Sequence, residues 1–161
     1  MAIQSGDPIP EATFTVMMAD GPQLRTTDQI FKGRKVVLFG VGGAFTPLCN
    51  KHHLLGFLDK LDQFKAQGVD EVAVTGVNDV FVMEAWAKSA GANGKITFLA
   101  DGNADFARAL GLLVDLTAHG LGIRSQRYAM IVDNGVVRKI NLEVASGKVE
   151  TSSAETLLKQ L

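Results

Sequence analysis

One cysteine, one tryptophan, one tyrosine and four prolines are all that this chain of 161 residues holds of those types. A single cysteine excludes an internal disulfide framework and fits a reducing compartment. It leaves Cys49 either as a small buried hydrophobe, the commoner case, or as a reactive thiol. An excess of one charge is lacking too: 16 basic residues face 17 acidic ones, a net charge of −1. Nothing here has the electrostatic footprint of a nucleic-acid or anionic-membrane binder. The longest apolar stretch, Val36 to Phe45, is about ten residues and contains three glycines, against the roughly 20 apolar residues needed to cross a bilayer. A soluble protein is expected. The opening MAIQSGDPIP lacks the basic segment, apolar segment and small-residue cleavage site of an export signal. A cytoplasmic location is therefore expected, with an organelle left open.

What is present is the material of a packed core. Hydrophobic residues make up 47% and charged residues 20%, a globular rather than a disordered balance. No repeat, low-complexity tract or break in composition occurs, so residues 1–161 read as one domain. Lys35–Gly40 (KVVLFG), bounded by glycines, predicts a buried central strand. Apolar residues from Leu48 onward recur at helical spacing and predict one long helix that stops at Gly68. Glu71–Val77 and Ile96–Ala100 predict two further strands, with a helix capped by Asn78 or Asp79 between them. This alternation implies parallel pairing and right-handed crossovers, with helices on both faces of the sheet. The end of the chain differs: two strand-like runs, from Arg127 and from Val136, meet at Asp133-Asn134-Gly135, a hairpin signal. Ser152 with Glu155 has the spacing of a capping box before a last amphipathic helix. The sum is an α/β class protein with a mixed central sheet flanked by helices, the element order of a thioredoxin-like fold.

Chemistry points to one segment. Cys49 lies just past the carboxyl end of the central strand, in the first turn of the predicted helix, where unpaired N–H groups and the helix dipole favour a thiolate, the nucleophilic form. It is framed by Thr46, Pro47, Asn50 and Lys51 rather than set in an apolar run, which favours reactivity over packing. The segment Gly40 to Cys49 (GVGGAFTPLC) with Lys51-His52-His53 and Gly56-Phe57 resembles the active-site loop of the peroxiredoxins, in particular the peroxiredoxin 5 or plant type II group. Val77-Asn78-Asp79, Leu99-Ala100-Asp101-Gly102 and Gly120 to Tyr128 (GLGIRSQRY) match the same group in the same order. The resemblance implies a thiol-dependent peroxidase reducing hydrogen peroxide and alkyl hydroperoxides. It assigns Cys49 as the peroxidatic nucleophile, with the Thr46 hydroxyl holding peroxide in line and Arg124 supplying guanidinium donors. Arg127 competes with Arg124, and the motif selects Arg124. Phe45, Gly43, Leu48 and Ile123 would line the substrate site, its apolar members suiting alkyl hydroperoxides. The group forms homodimers, for which Phe45 and the region around Phe81 are the expected contacts.

Three positions depart from the pattern. Gly42 stands where the group has the proline of its Pro-x-x-x-Thr-x-x-Cys motif, so the loop is expected to be less preorganised. That keeps open a second reading, a redox sensor or interaction module with weak turnover. Leu55 replaces a proline before the Gly-Phe pair, which would let the helix run on without a kink. Val74 occupies one family position for a second, resolving cysteine, and none exists elsewhere. The Cys49 sulfenic acid must therefore meet an external thiol, glutathione with glutaredoxin being preferred and thioredoxin second. Other chemistries fit poorly. His52 and His53 are adjacent and His119 distant, so no metal site is expected. Asp101-x-Asn103-x-Asp105 begins like a calcium loop but lacks its glycine and its closing glutamate, so it reads as a turn and helix cap. Gly40-x-Gly42-Gly43 completes no phosphate-binding motif. No cofactor is expected.

Overall fold

The structure, a computed structural model, describes residues 2–143 and 147–161. The chain begins with a hairpin, β1 (Thr13–Met18) and β2 (Gly21–Thr26), and a short helix α1 (Thr27–Phe31). The strand β3 (Lys35–Gly40) follows, then a widened helical turn (Cys49–Leu54) that continues into α2 (Leu55–Asp59) and α3 (Leu61–Ala66). Next come β4 (Glu71–Gly76), α4 (Val80–Ser89), β5 (Thr97–Ala100), α5 (Asp105–Leu110) and β6 (Leu113–Asp115). A single 3₁₀ turn (Thr117–His119), β7 (Ile123–Ser125), the hairpin β8 (Tyr128–Asp133) and β9 (Val136–Leu142), and α6 (Ala154–Leu158) complete the order.

Seven strands form one sheet in the order β2-β1-β5-β4-β3-β8-β9, and β6 pairs with β7 separately. The centre, β5-β4-β3, is parallel, while β8 joins β3 antiparallel. This is the mixed sheet with flanking helices that the element order predicts. Alternation of side chains sorts the core onto two faces. Val37, Phe39 and Val74 face Cys49, Phe57, Phe64 and Trp86, whereas Val36, Leu38 and Ala73 face Phe14, Phe106 and Met130. Burial of β3 on both sides explains its unbroken apolar sequence.

The sequence signals are read differently by the fold at three points, and the β8–β9 turn forms as expected. No element is expected before Lys35, yet the β1–β2 hairpin is there; its outer strand GPQLRT lies at the sheet edge and is largely exposed, so it carries no apolar run. The predicted long helix is interrupted: Cys49–Leu54 takes the wider i→i+5 turn and Lys60 leaves helical geometry (φ −105, ψ 8) before α3. Replacing the family's proline by Leu55 does not straighten it. The widened turn sets Cys49, His53 and Leu54 together on the buried side. The cap of α6 is Ser153, whose side chain accepts from Thr156 N–H, not Ser152. Asn134 (φ 49) and Gly135 (φ 77) make the turn between β8 and β9, as their left-handed preference requires.

Candidate active site

The site begins where β3 ends. A methyl group on Gly40 would lie 2.2 Å from a ring carbon of Tyr128, so only glycine lets β8 pack this close at the strand's end. The following loop is tied at both shoulders: Val41 N–H donates to Thr75 C=O (3.0 Å) and Ala44 N–H to Asn78 Oδ1 (2.9 Å). Phe45 is forced to a left-handed φ of 64, a conformation that costs a non-glycine residue roughly 1–2 kcal/mol. Thr46 Oγ donates to Gly43 C=O at 2.7 Å, and Asn50 N–H closes onto Thr46 C=O at 2.9 Å. The loop thus delivers Cys49 into the first widened turn, where its side chain is only 1% exposed.

One cationic group meets the thiol, and a ring from the thiol's own helical turn holds it there. Arg127, between β7 and β8, donates from Nη2 to Cys49 Sγ at 3.1 Å and from Nη1 to His53 Nδ1 at 3.0 Å. His53 Nε2 lies 2.9 Å from the Ser152 carbonyl. A carbonyl can only accept, so the ring proton sits on Nε2 and Nδ1 is left to accept from the guanidinium. Burial, then the charge of Arg127, lowers the His53 pKa from 6.5 to about 3, and the ring is neutral. Its faces pack on Phe39 and Phe57, with ring centroids 4.9 and 5.6 Å away. Among the described residues Arg127 makes no salt bridge. No carboxylate among them pairs directly with its charge, which acts on the sulfur, and electrostatic interactions in so enclosed a site are strong.

The predicted residues fall as follows. Cys49 and Thr46 share one loop-to-helix junction, with Thr46 half-buried. Arg124, which the motif selects as the guanidinium donor, does not contact the thiol in this structure. Its Nε donates to Leu121 C=O at 2.8 Å, and its Nη1 lies 3.0 Å from where a Gly43 methyl would be, so it flanks the loop. The guanidinium on the sulfur is that of Arg127. Gly43 is buried and gives Arg124 its space, Leu48 is half-buried, and Phe45 and Ile123 are 46% and 45% exposed. Gly42 has a φ outside the left-handed region, and only Ser125 C=O, at 4.0 Å, would meet a Cβ there.

Three groups at the site have a role there that the sequence does not announce. His53 reads from the sequence as part of the Lys51-His52-His53 turn of the resemblance and as one of an adjacent pair with no metal spacing, with no role of its own. Its burial follows from the widened turn, which the sequence does not announce. Asn50 accepts from Trp86 Nε1 at 2.9 Å, joining the residue after Cys49 to α4. Ser152 has the pattern of a helix cap but serves His53 instead. Among the described residues no group of three or more His, Cys, Asp or Glu side chains is placed to hold a metal ion. No described helix is long and apolar enough to cross a membrane.

Known proteins resemble this chain over nearly its whole length. The family Redoxin matches residues 4–158. Peroxiredoxin-2C of Arabidopsis thaliana is 44% identical over 161 residues, spanning 99% of this chain and 98% of the relative. Chloroplastic Peroxiredoxin-2E-2 of Oryza sativa subsp. japonica is 46% identical over 164 residues, 99% of this chain and 72% of the relative. The crystal structure of reduced Prx3 in complex with H₂O₂ from Vibrio vulnificus superposes with a TM-score of 0.93 at 47% identity, covering 98% of both chains. Peroxiredoxin 5 from Alvinella pompejana superposes at 0.85 with 34% identity, over 98% of this chain and 96% of that one.

Proposed function

Because the chain belongs to the redoxin family and, within it, to the peroxiredoxins, it is a thiol-dependent peroxidase, and we propose that Cys49 is the residue that attacks the peroxide. The observation that supports this most is the 3.1 Å contact from the Arg127 guanidinium, whose other terminal nitrogen is held by the neutral His53 ring, to Cys49 Sγ. In the reaction, the Cys49 thiolate attacks one peroxide oxygen; an S–O bond forms, the O–O bond breaks, and the departing alkoxide or hydroxide takes up a proton. Sulfur is oxidised to the sulfenic acid and the peroxide is reduced to alcohol or water. A donor is needed where negative charge passes from sulfur to the leaving oxygen. Arg127 offers Nη2 there, with Nη1 held by His53 Nδ1. The Thr46 hydrogen is committed to the Gly43 carbonyl, so its oxygen faces the peroxide as an acceptor and orients the peroxide O–H. Arg124 beside Gly43 serves the loop rather than the reacting atoms.

Hydrogen peroxide and alkyl hydroperoxides are the proposed substrates, the latter seated against Phe45, Leu48 and Ile123 beside Gly43. With one cysteine in the chain, the sulfenic acid is returned to thiol by an external reductant, glutathione with glutaredoxin first and thioredoxin second. That reductant reaches a sulfur 1% exposed only when the first helical turn opens. The exposed Phe45 and Phe81 are the proposed contacts of a homodimer. One domain over residues 1–161 and a cytoplasmic setting complete the reading. The alternative, a redox sensor with weak turnover, rests on Gly42 in place of proline.

Stopped-flow oxidation of the reduced protein by hydrogen peroxide and by tert-butyl hydroperoxide tests it. Trp86 fluorescence is a suitable reporter because its indole N–H touches Asn50, next to Cys49. A fast phase lost in Cys49→Ser and reset by one of the two reductant systems is expected. A rate constant no higher than that of free cysteine contradicts the peroxidase assignment of Cys49.

A further inference from the structure

Arg127 is gripped twice by one short segment of the chain, far from it in sequence. Glu143 N–H donates to the Arg127 carbonyl at 2.9 Å. The Glu143 carboxylate accepts from Glu150 N–H (2.9 Å), Ser152 N–H (3.1 Å) and Ser152 Oγ (2.9 Å). Ser152 C=O in turn accepts from His53, which accepts from the Arg127 guanidinium. The hydrogen bonds therefore close a ring that starts at the backbone of Arg127 and returns to its side chain. Ser152 is completely buried although Ser153 provides the cap of α6, so its burial is not explained by the helix that follows. We propose that Glu143 and Ser152 are positioning residues for the peroxide reaction, acting through His53 to aim Arg127 at the Cys49 sulfur. This rests on the peroxidase reading of Cys49.

The direction of each bond gives the ring its effect. The Ser152 carbonyl fixes the proton on His53 Nε2, which makes Nδ1 an acceptor. An arginine has only donors, so this is the tautomer that can hold it. Neutrality of the ring is maintained by burial and by Arg127 itself. If Glu143 releases Ser152, the carbonyl is free to drift and the imidazole can turn, and the guanidinium loses the partner that orients it. Misplacement of an orienting group by about 1 Å can cost up to about a hundredfold in rate.

The test compares two reactions of the same thiol in the full-length reduced protein. Both reagents, hydrogen peroxide and iodoacetamide, need the thiolate, but only peroxide needs a donor for its leaving oxygen. Glu143→Ala is expected to lower the peroxide rate constant about tenfold and the alkylation rate constant less than threefold, with Glu143→Gln, which keeps one acceptor oxygen, in between. His53→Asn can place its amide oxygen near the Nδ1 position and is expected to retain more peroxide reactivity than His53→Gln, whose longer side chain places the amide at the Nε2 position, toward Ser152 and away from Arg127. A role in folding alone predicts the two histidine variants alike and the two reagents affected together. Peroxide rates of Glu143→Ala within twofold of the parent, or equal losses for both reagents, overturn the proposal while leaving the peroxidase reading intact. A parent protein no faster than free cysteine overturns both.

Discussion

Two arginine networks sit at opposite ends of the same pair of strands. At the start of β4, Glu71 receives Arg25 through both guanidinium nitrogens (2.9 and 3.1 Å), Arg34 at 2.6 Å, and the Thr97 hydroxyl. Beyond the end of β3, Arg127 forms no salt bridge among the described residues and spends its terminal nitrogens on a neutral imidazole and a thiol. The first network neutralises its charge locally and ties β2, the start of β3, β4 and β5 together. The second leaves its charge on a reacting atom and orients it with uncharged groups. The contrast separates structure from chemistry among partly buried arginines: a positive charge paired directly with a carboxylate holds the fold, and one without such a pair can stabilise an anion formed in a reaction.

The contrast can be broken first at Glu71. Glu71→Gln leaves two partly buried guanidinium groups without their counter-charge and is expected to destabilise the protein by about 2–3 kcal/mol, read as a lower urea midpoint. The peroxide rate constant of the protein that remains folded should stay within about twofold of the parent.

Acid separates the two ends more gently. His53 is held at about 3, by burial first and Arg127 second, against an ordinary 6.5. The unfolded chain takes up this proton below pH 6.5 while the folded one resists. The stability associated with the neutral ring is thus complete above pH 6.5 and declines toward pH 3, by at most about 1.4 kcal/mol per pH unit. For Glu71, burial raises the pKa, but the hydrogen bonds from Arg25, Thr97 and Arg34 outweigh it and hold the carboxyl below its ordinary 4.5. Its contribution is complete above pH 4.5 and declines as pH falls through the lowered value. Urea titrations from pH 7 to 4 should therefore show a slope between pH 6.5 and 4.5 that His53→Asn flattens and Glu71→Gln leaves in place; a slope untouched by His53→Asn contradicts the assignment.

The smallest effect is expected at Gly42. Its φ is outside the left-handed region, a Cβ there would meet only Ser125 C=O at 4.0 Å, and no backbone bond is formed by its N–H among the described residues. Gly42→Pro should raise stability by about 0.4–1 kcal/mol by restricting the unfolded chain, and speed peroxide attack a few-fold. A loss of both would show that the loop needs the freedom of glycine.

How much of this the sequence discloses depends on what sets each feature. Lys35–Gly40, Glu71–Gly76 and the Asn134-Gly135 hairpin are legible because burial on two faces and left-handed turn geometry select residue types locally. The loop from Gly40 to Cys49 is legible for the same reason, through its glycines and Thr46. The edge hairpin β1–β2 is not, since one of its strands is mostly solvated and resembles a loop in composition. Nor is the choice between Arg124 and Arg127. The two lie three residues apart in one polar stretch, and only the pairing of β7 with β6 and of β8 with β3 turns the first along the loop and the second onto the thiol. Ser152 shows the same limit: its sequence spacing is that of a cap, and its use is set by a histidine 99 residues away.

The central claim, that Arg127 rather than its neighbour activates the reaction at Cys49, is tested most directly by the hydrogen peroxide rate constants of Arg127→Ala and Arg124→Ala measured side by side by stopped flow. The account predicts a loss of about 10²–10³ for Arg127→Ala and less than tenfold for Arg124→Ala; the reverse order, or equal losses, contradicts it.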